Sequence, residues 1–215
     1  MSRLEALGDP SVLNRRVRTG ASGEQFGVKR GDLRTLAKTI GRDRELGLAL
    51  WRTGNVDAQM LAVLLWTPSK LDGDTLDGLL RSAALDQPAD WLTTYIIRKH
   101  KAKETLRQRW MADDHLITAR VGWSLTAERV AKSPEGLDID GLLDRIEAQL
   151  GGAAPEVQWT MNTCLVEIGI HHPDRRARAL AIGEALGLYR DLPVSKGCTS
   201  PFAPVWIAEM VRRQG

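Results

Sequence analysis

Two cysteines in 215 residues, Cys164 and Cys198, exclude a disulfide framework and leave no zinc-ligand spacing. Long apolar runs are missing as well. Nothing approaches the roughly 18 residues that span a bilayer, and the opening MSRLEALGDP lacks the zones of a signal peptide. No stretch alternates apolar and polar residues strongly enough to rival the helical periodicity of the chain. Outside seven tryptophans there are only two tyrosines and two phenylalanines, so the core must be largely aliphatic. His171-His172 is no metal site, because adjacent helical residues point about 100° apart and no Cys or Asp completes a set. The expectation is a cytoplasmic protein in a reduced environment, without membrane contact, metal or cofactor.

What is present is helix after helix. An i, i+3, i+4, i+7 stripe of Leu33, Leu36, Ala37 and Ile40 follows Gly31, with Asp32 as its expected cap and Gly41 as its stop. Asn55 is expected to cap a second helix, which Thr67-Pro68 ends. Further helices are predicted over 44–52, 74–83, 88–99, 102–112, 115–132, 139–150, 155–171 and 174–187. Short breaks imply antiparallel neighbours. About ten amphipathic helices in succession suit an all-α architecture, a right-handed α-solenoid or α-α superhelix of degenerate HEAT-like repeats. One structural domain is expected, with an N-terminal arm or leading helix (1–24), a repeat array (25–190), and an extended loop with a capping helix (191–215).

Charge is unevenly spread. Residues 1–44 hold ten Lys/Arg against five acids, although the whole chain carries only +3. A second basic cluster runs from Arg98 through Lys99, Lys101, Lys103 and Arg107 to Arg109. Separated basic patches fit an anionic partner such as a nucleic-acid backbone, and equally fit solvated helix faces.

Three stretches together resemble the DNA alkylation repair family, the AlkD-like HEAT-repeat DNA glycosylases. They are Phe26-Gly-Val-Lys-Arg-Gly-Asp-Leu-Arg-Thr-Leu-Ala-Lys38, then Asp90-Trp91 with the later helix bearing Arg120, and Met161-Asn162 through Ala181-Ile-Gly-Glu184. The resemblance covers about 26–190. It implies a C-shaped solenoid whose basic concave face holds duplex DNA; a monomer is expected. It also implies hydrolysis of the N-glycosidic bond of cationic N3- or N7-alkylated purines. In such chemistry the base is already a good leaving group, and the protein stabilises positive charge developing on the deoxyribose.

Carried onto this sequence, the cleft positions are Trp91, Tyr95 and Arg120. Tyr95 stands where active members carry the catalytic aspartate, and a neutral phenol cannot supply a carboxylate's electrostatic stabilisation. By the same resemblance, Leu165 occupies the place of a second family tryptophan. If hydrolysis survives, Asp90, Glu128 or Glu167 must serve as the acid. On a helix over 88–99, Trp91, Tyr95 and Arg98 share one edge. Nucleic-acid contacts are expected from Lys29, Arg30, Arg34, Arg98, Arg120, Trp123, Gln158, Asn162 and Lys196, with Lys29-Arg30 beside helix-end N–H groups. For Gln158 and Asn162, helix bridging is favoured over phosphate contact. Two alternatives stand beside the glycosylase: a non-catalytic protein recognising damaged or distorted DNA by shape, and a HEAT-like scaffold for another polypeptide.

The terminal stretch VSKGCTSPFAPVW lacks the order of a phosphate-binding loop, and Cys198 has no histidine nearby in sequence. It is expected to be a clasp, with Pro204 opening a last helix whose face is Trp206, Ile207, Met210 and Val211. Lys196 is its one candidate phosphate contact.

Overall fold

The computed structural model describes residues 1–214. Among them it contains thirteen α-helices, three short 3-10 turns and no strand beyond an isolated bridge between Gly8 and Val28. The all-α expectation holds. The chain forms two compact units, Met1–Leu106 and the residues from Arg107 onward.

The first unit carries α1 (Ser2–Glu5), α2 (Pro10–Arg18), α3 (Arg30–Ile40), α4 (Arg44–Arg52), α5 (Val56–Leu65), α6 (Gly73–Arg81) and α7 (Asp86–Tyr95). Side-chain caps start most of them: Asp9 accepts from Ser11 N (2.8 Å), Asp43 from Leu46 N (2.9 Å) and Asp72 from Thr75 N (2.7 Å). Asn55 caps α5 as expected, accepting from both Asp57 N and Ala58 N. α3 departs from expectation. It begins at Arg30, one turn earlier than an Asp32 cap would place it, so Asp32 sits inside the first turn.

α5 is the centre of this unit, buried almost all round and packed by α3, α4 and α7. Its Asp57 is fully enclosed and organises the N-terminal arm. One carboxylate oxygen accepts from Arg16 Nη1 at 2.8 Å, the other from the backbone N–H of Phe26 (2.7 Å) and Gly27 (3.0 Å). Arg16 also donates to the Val28 carbonyl at 2.7 Å. A buried charge met by a guanidinium and two amides satisfies the conditions for an enclosed ion pair. The arm thus becomes a packed helix.

The helix α8 (Lys103–Trp110) contains the boundary, and the second unit continues through α9 (Leu116–Lys132), α10 (Ile139–Gln149), α11 (Pro155–His171), α12 (Arg176–Leu186) and α13 (Ala203–Gln214). α9 and α11 form its spine, with Trp123, Val130, Met161, Cys164, Leu165 and Ile168 at 1% exposure or less. Gly122 of α9 lets the backbone cross at close range. A Cβ there would lie 2.5 Å from Met111 N and 2.6 Å from Trp110 C.

The terminal stretch leads into α13, which packs on α11 and α12. Before α13 the chain turns at Lys196-Gly197, where Cys198 N donates to the Ser195 carbonyl at 2.9 Å; Asn162 Nδ2 donates to the Pro201 carbonyl at 2.9 Å, and α13 seats Ile207 against Gly169 of α11.

Candidate nucleic-acid interface

In the first unit, the apolar stripe of α3 (Leu33, Leu36, Ala37) turns inward, which leaves Arg30, Arg34 and Lys38 on its exposed side. They lie four residues apart, so their Cα atoms rise about 6 Å per step along one helix face. α7 answers with the same spacing: Gln87, Trp91 and Tyr95. With its amide oxygen turned to α3, Gln87 accepts from Arg30 Nε at 3.2 Å and Nη2 at 2.7 Å. One turn on, the Arg34 guanidinium lies 5.3 Å over the Trp91 ring and donates from Nε (3.3 Å) and Nη2 (3.1 Å) to the Tyr95 hydroxyl. The rings of Trp91 and Tyr95 pack at 5.4 Å, tilted by 52°.

The three side chains therefore define one another. Trp91 is 7% exposed and serves as an apolar and quadrupolar floor for the cation. Tyr95 uses its oxygen lone pairs on Arg34, which leaves its O–H proton for an external acceptor. No carboxylate pairs with Arg30, Arg34 or Lys38 among the described residues. The arginines of the second unit behave differently. Arg175 is held by Asp140 and Asp174, Arg178 by Asp144 and Glu147, and Glu209 by both Arg212 and Arg213, which bring its carboxyl down to about 2. Those charges are largely neutralised in place; the α3 row is not.

Several expected contacts are placed otherwise. α7 ends at Tyr95, because Ile96 leaves the helical path and a 3-10 turn follows over Ile97–Lys99. Arg98 consequently does not continue the Trp91–Tyr95 edge. Lys29 is ion-paired with Asp9 at 2.9 Å; Asp9 raises the lysine, while the Ser11 hydroxyl and then Lys29 hold the Asp9 carboxyl below its usual range. Trp123 is 1% exposed, with the Arg145 guanidinium 5.1 Å over its ring, and has no surface to offer a ligand. Asn162 is 2% exposed and spends its amide on the clasp. Gln158 donates to the Gly151 carbonyl at 3.1 Å, the helix-bridging role. Arg120 is half-buried on α9 and, like Arg98, already engages other groups of the protein. Lys196 is exposed on the loop before α13.

Leu165 is wholly buried, yet α11 does present an indole: Trp159, six residues earlier, is 43% exposed. Of the substitute acids, Glu167 is half-buried and burial raises its carboxyl above the ordinary range, against the opposing pull of His171 at 3.1 Å and of Lys132. Asp90 is exposed, Glu128 is partly buried, and both have partners within the protein.

The sequence matches the DNA alkylation repair enzyme family over residues 1–189. The chain belongs to the DNA alkylation repair family. It is 22% identical over 193 residues to an uncharacterised protein of Listeria innocua, covering 86% of this chain and 84% of that one. An uncharacterised protein of Listeria monocytogenes is 22% identical over 219 residues, 99% of this chain and 96% of that one. Among solved structures, the fold is similar, with a TM-score of 0.79 at 22% identity, to a member of a new family related to the HEAT-like repeat DNA glycosylases with affinity for branched DNA structures. That likeness covers 100% of this chain and 93% of the other, and makes the fold of this repair-family chain a HEAT-like helical array. The residues that sequence reasoning missed in it are Lys38, Gln87 and Trp159. For Lys38 and Gln87 the repeated four-residue spacing of 30/34/38 against 87/91/95 was the available signal; Trp159 belongs to neither row.

Proposed function

We propose that the protein binds DNA through the sugar–phosphate backbone, with the Arg30–Arg34–Lys38 row and Tyr95 as phosphate contacts, and that it recognises distorted or branched DNA without excising alkylpurines. One observation carries this reading: the Arg34 guanidinium bonded to Tyr95 over Trp91. Glycosidic cleavage of a cationic base develops positive charge on the sugar, and a carboxylate stabilises it. Two unit charges 4 Å apart interact by roughly 4 kcal/mol in the effective dielectric of a protein surface. A guanidinium-bound phenol in the carboxylate's position removes that stabilisation and brings a cation in its place. The same group is well suited to a phosphate, because arginine recognises anionic oxygens through its planar fork. The affinity for branched DNA described for the similarly folded protein supports the choice of partner.

Hydrolysis, the reading that the family resemblance suggests first, would need an acid from elsewhere in the chain. Incubating the protein with duplexes containing 7-methylguanine or 3-methyladenine is expected to release no base above the spontaneous rate. Band-shift titrations with the same duplexes are expected to show binding. Enzyme-dependent release from either lesion would overturn the proposal.

A further inference from the structure

Seven tryptophans are present, and six are enclosed or partly enclosed: Trp51, Trp66, Trp110 and Trp123 are at most 3% exposed, Trp91 is at 7%, and Trp206 is half-buried. Trp159 alone stands 43% in solvent, on the outer side of a helix whose inner side is Met161, Cys164, Leu165 and Ile168. It is not loose. The Tyr189 ring packs against it at 5.5 Å with an interplanar angle of 68°, an edge-to-face contact that fixes the indole plane. Tyr189 reaches it from an unusual backbone. With φ at 62° it is the one described non-glycine residue in the left-handed region, two residues after Gly187, which has the same φ and ends α12. A residue with a Cβ is held there only when its surroundings demand it, and such strain gathers at binding sites. The Tyr189 phenol is itself partly enclosed, and burial pushes it up from its ordinary value.

An aromatic ring of fixed orientation, open to water on a nucleic-acid-binding protein, has the properties of a base-stacking platform, since every nucleobase offers a π-face. We infer that Trp159, oriented by Tyr189, stacks an unpaired nucleobase, so that the protein prefers DNA with an extrahelical or branch-point nucleotide over continuous duplex. This rests on the DNA-binding reading above but uses different residues from the α3–α7 surface. Trp159 supplies the stacking contact, and Tyr189 is a positioning residue.

The test uses the full chain and two DNAs of equal length, a continuous duplex and one carrying a three-nucleotide bulge with 2-aminopurine at its centre. Wild type is expected to favour the bulge about tenfold, in keeping with alanine-substitution losses at stacking aromatics, and to change the 2-aminopurine emission on saturation. Trp159→Ala is expected to bring the preference to near unity while duplex affinity stays within about twofold, and Trp159→Phe to keep part of it. Tyr189→Gly, which relieves the backbone while removing the ring, is expected to lower the preference without lowering the urea midpoint. A tenfold preference that survives Trp159→Ala would overturn the inference, as would wild type that binds both DNAs equally with unmoved emission. Wild type that binds neither DNA would overturn the nucleic-acid reading itself, and the two failures are told apart by the duplex titration.

Discussion

Removing the Arg34 guanidinium gives the sharpest view of how the α3 surface works. Arg34 has no carboxylate partner among the described residues; its charge is held by a phenol oxygen 3.1 Å away and an indole face. A cation in that state is available to displace a condensed counterion from DNA, and each phosphate so neutralised contributes about 0.9 to the slope of log K against log salt. Arg34→Ala is therefore expected to lower the slope by about 0.9, equivalent to a wild-type advantage that shrinks about 3.5-fold between 50 and 200 mM salt. At low salt the lost charge-assisted contact is expected to weaken binding about tenfold, since such bonds are worth about 1.5 kcal/mol or more. Arg178→Ala is the matched control. That guanidinium is bound between Asp144 and Glu147, so deleting it removes no releasable counterion, and the slope is expected to stay at the wild-type value. Fluorescence-anisotropy titrations of one labelled duplex at five salt concentrations read both numbers. An unchanged slope for Arg34→Ala, or an equal fall for Arg178→Ala, would refute the assignment of the interface to α3.

Four further outcomes concern the scaffold. Asp57→Ala strands the Arg16 guanidinium and two backbone donors in an enclosed site; a loss of about 3–5 kcal/mol in urea unfolding is expected, and a loss under 1 kcal/mol would refute this role of the Asp57 ion pair. Gly122→Ala drives a methyl into the backbone of Trp110 and Met111 and is expected to destabilise by about 1–3 kcal/mol. Gly78→Ala, with open space around it on an exposed face of α6, is expected to stabilise by about 0.5–1 kcal/mol; the same sign for both in thermal melts would contradict the packing. Burial pushes the Cys164 thiol up to about 12 while Cys198 is exposed, so iodoacetamide at neutral pH is expected to label Cys198 alone until urea is added, and mass spectrometry showing both labelled in the folded protein would contradict it.

Much of the scaffold was legible because its signals are local. Caps at Asn55, stops at Gly41 and Thr67-Pro68, and stripes at helical spacing depend on neighbours a few residues away, and α4 and α11 begin and end where periodicity places them. The misreadings have a common physical cause. Trp123 and Asn162 look like surface groups by chemistry, but a polar side chain is interior whenever a partner waits there, here Arg145 over the indole and the Pro201 carbonyl for the amide. Arg98 leaves the Trp91–Tyr95 edge because α7 ends at Tyr95 and a 3-10 turn follows, an end that no proline or glycine announces in the sequence.

By itself the sequence determined the all-α class, the helix order and the family, all properties of residue type and short-range spacing. Tertiary structure alone decided which cations are free. Charge is a property of the residue, but availability depends on whether an acid from another helix lies within reach. Arg178 finds two on α10, while Arg34 finds a phenol and an indole on α7. The same rule separates the indoles. Periodicity counts seven alike, and only packing leaves Trp159 open to a partner.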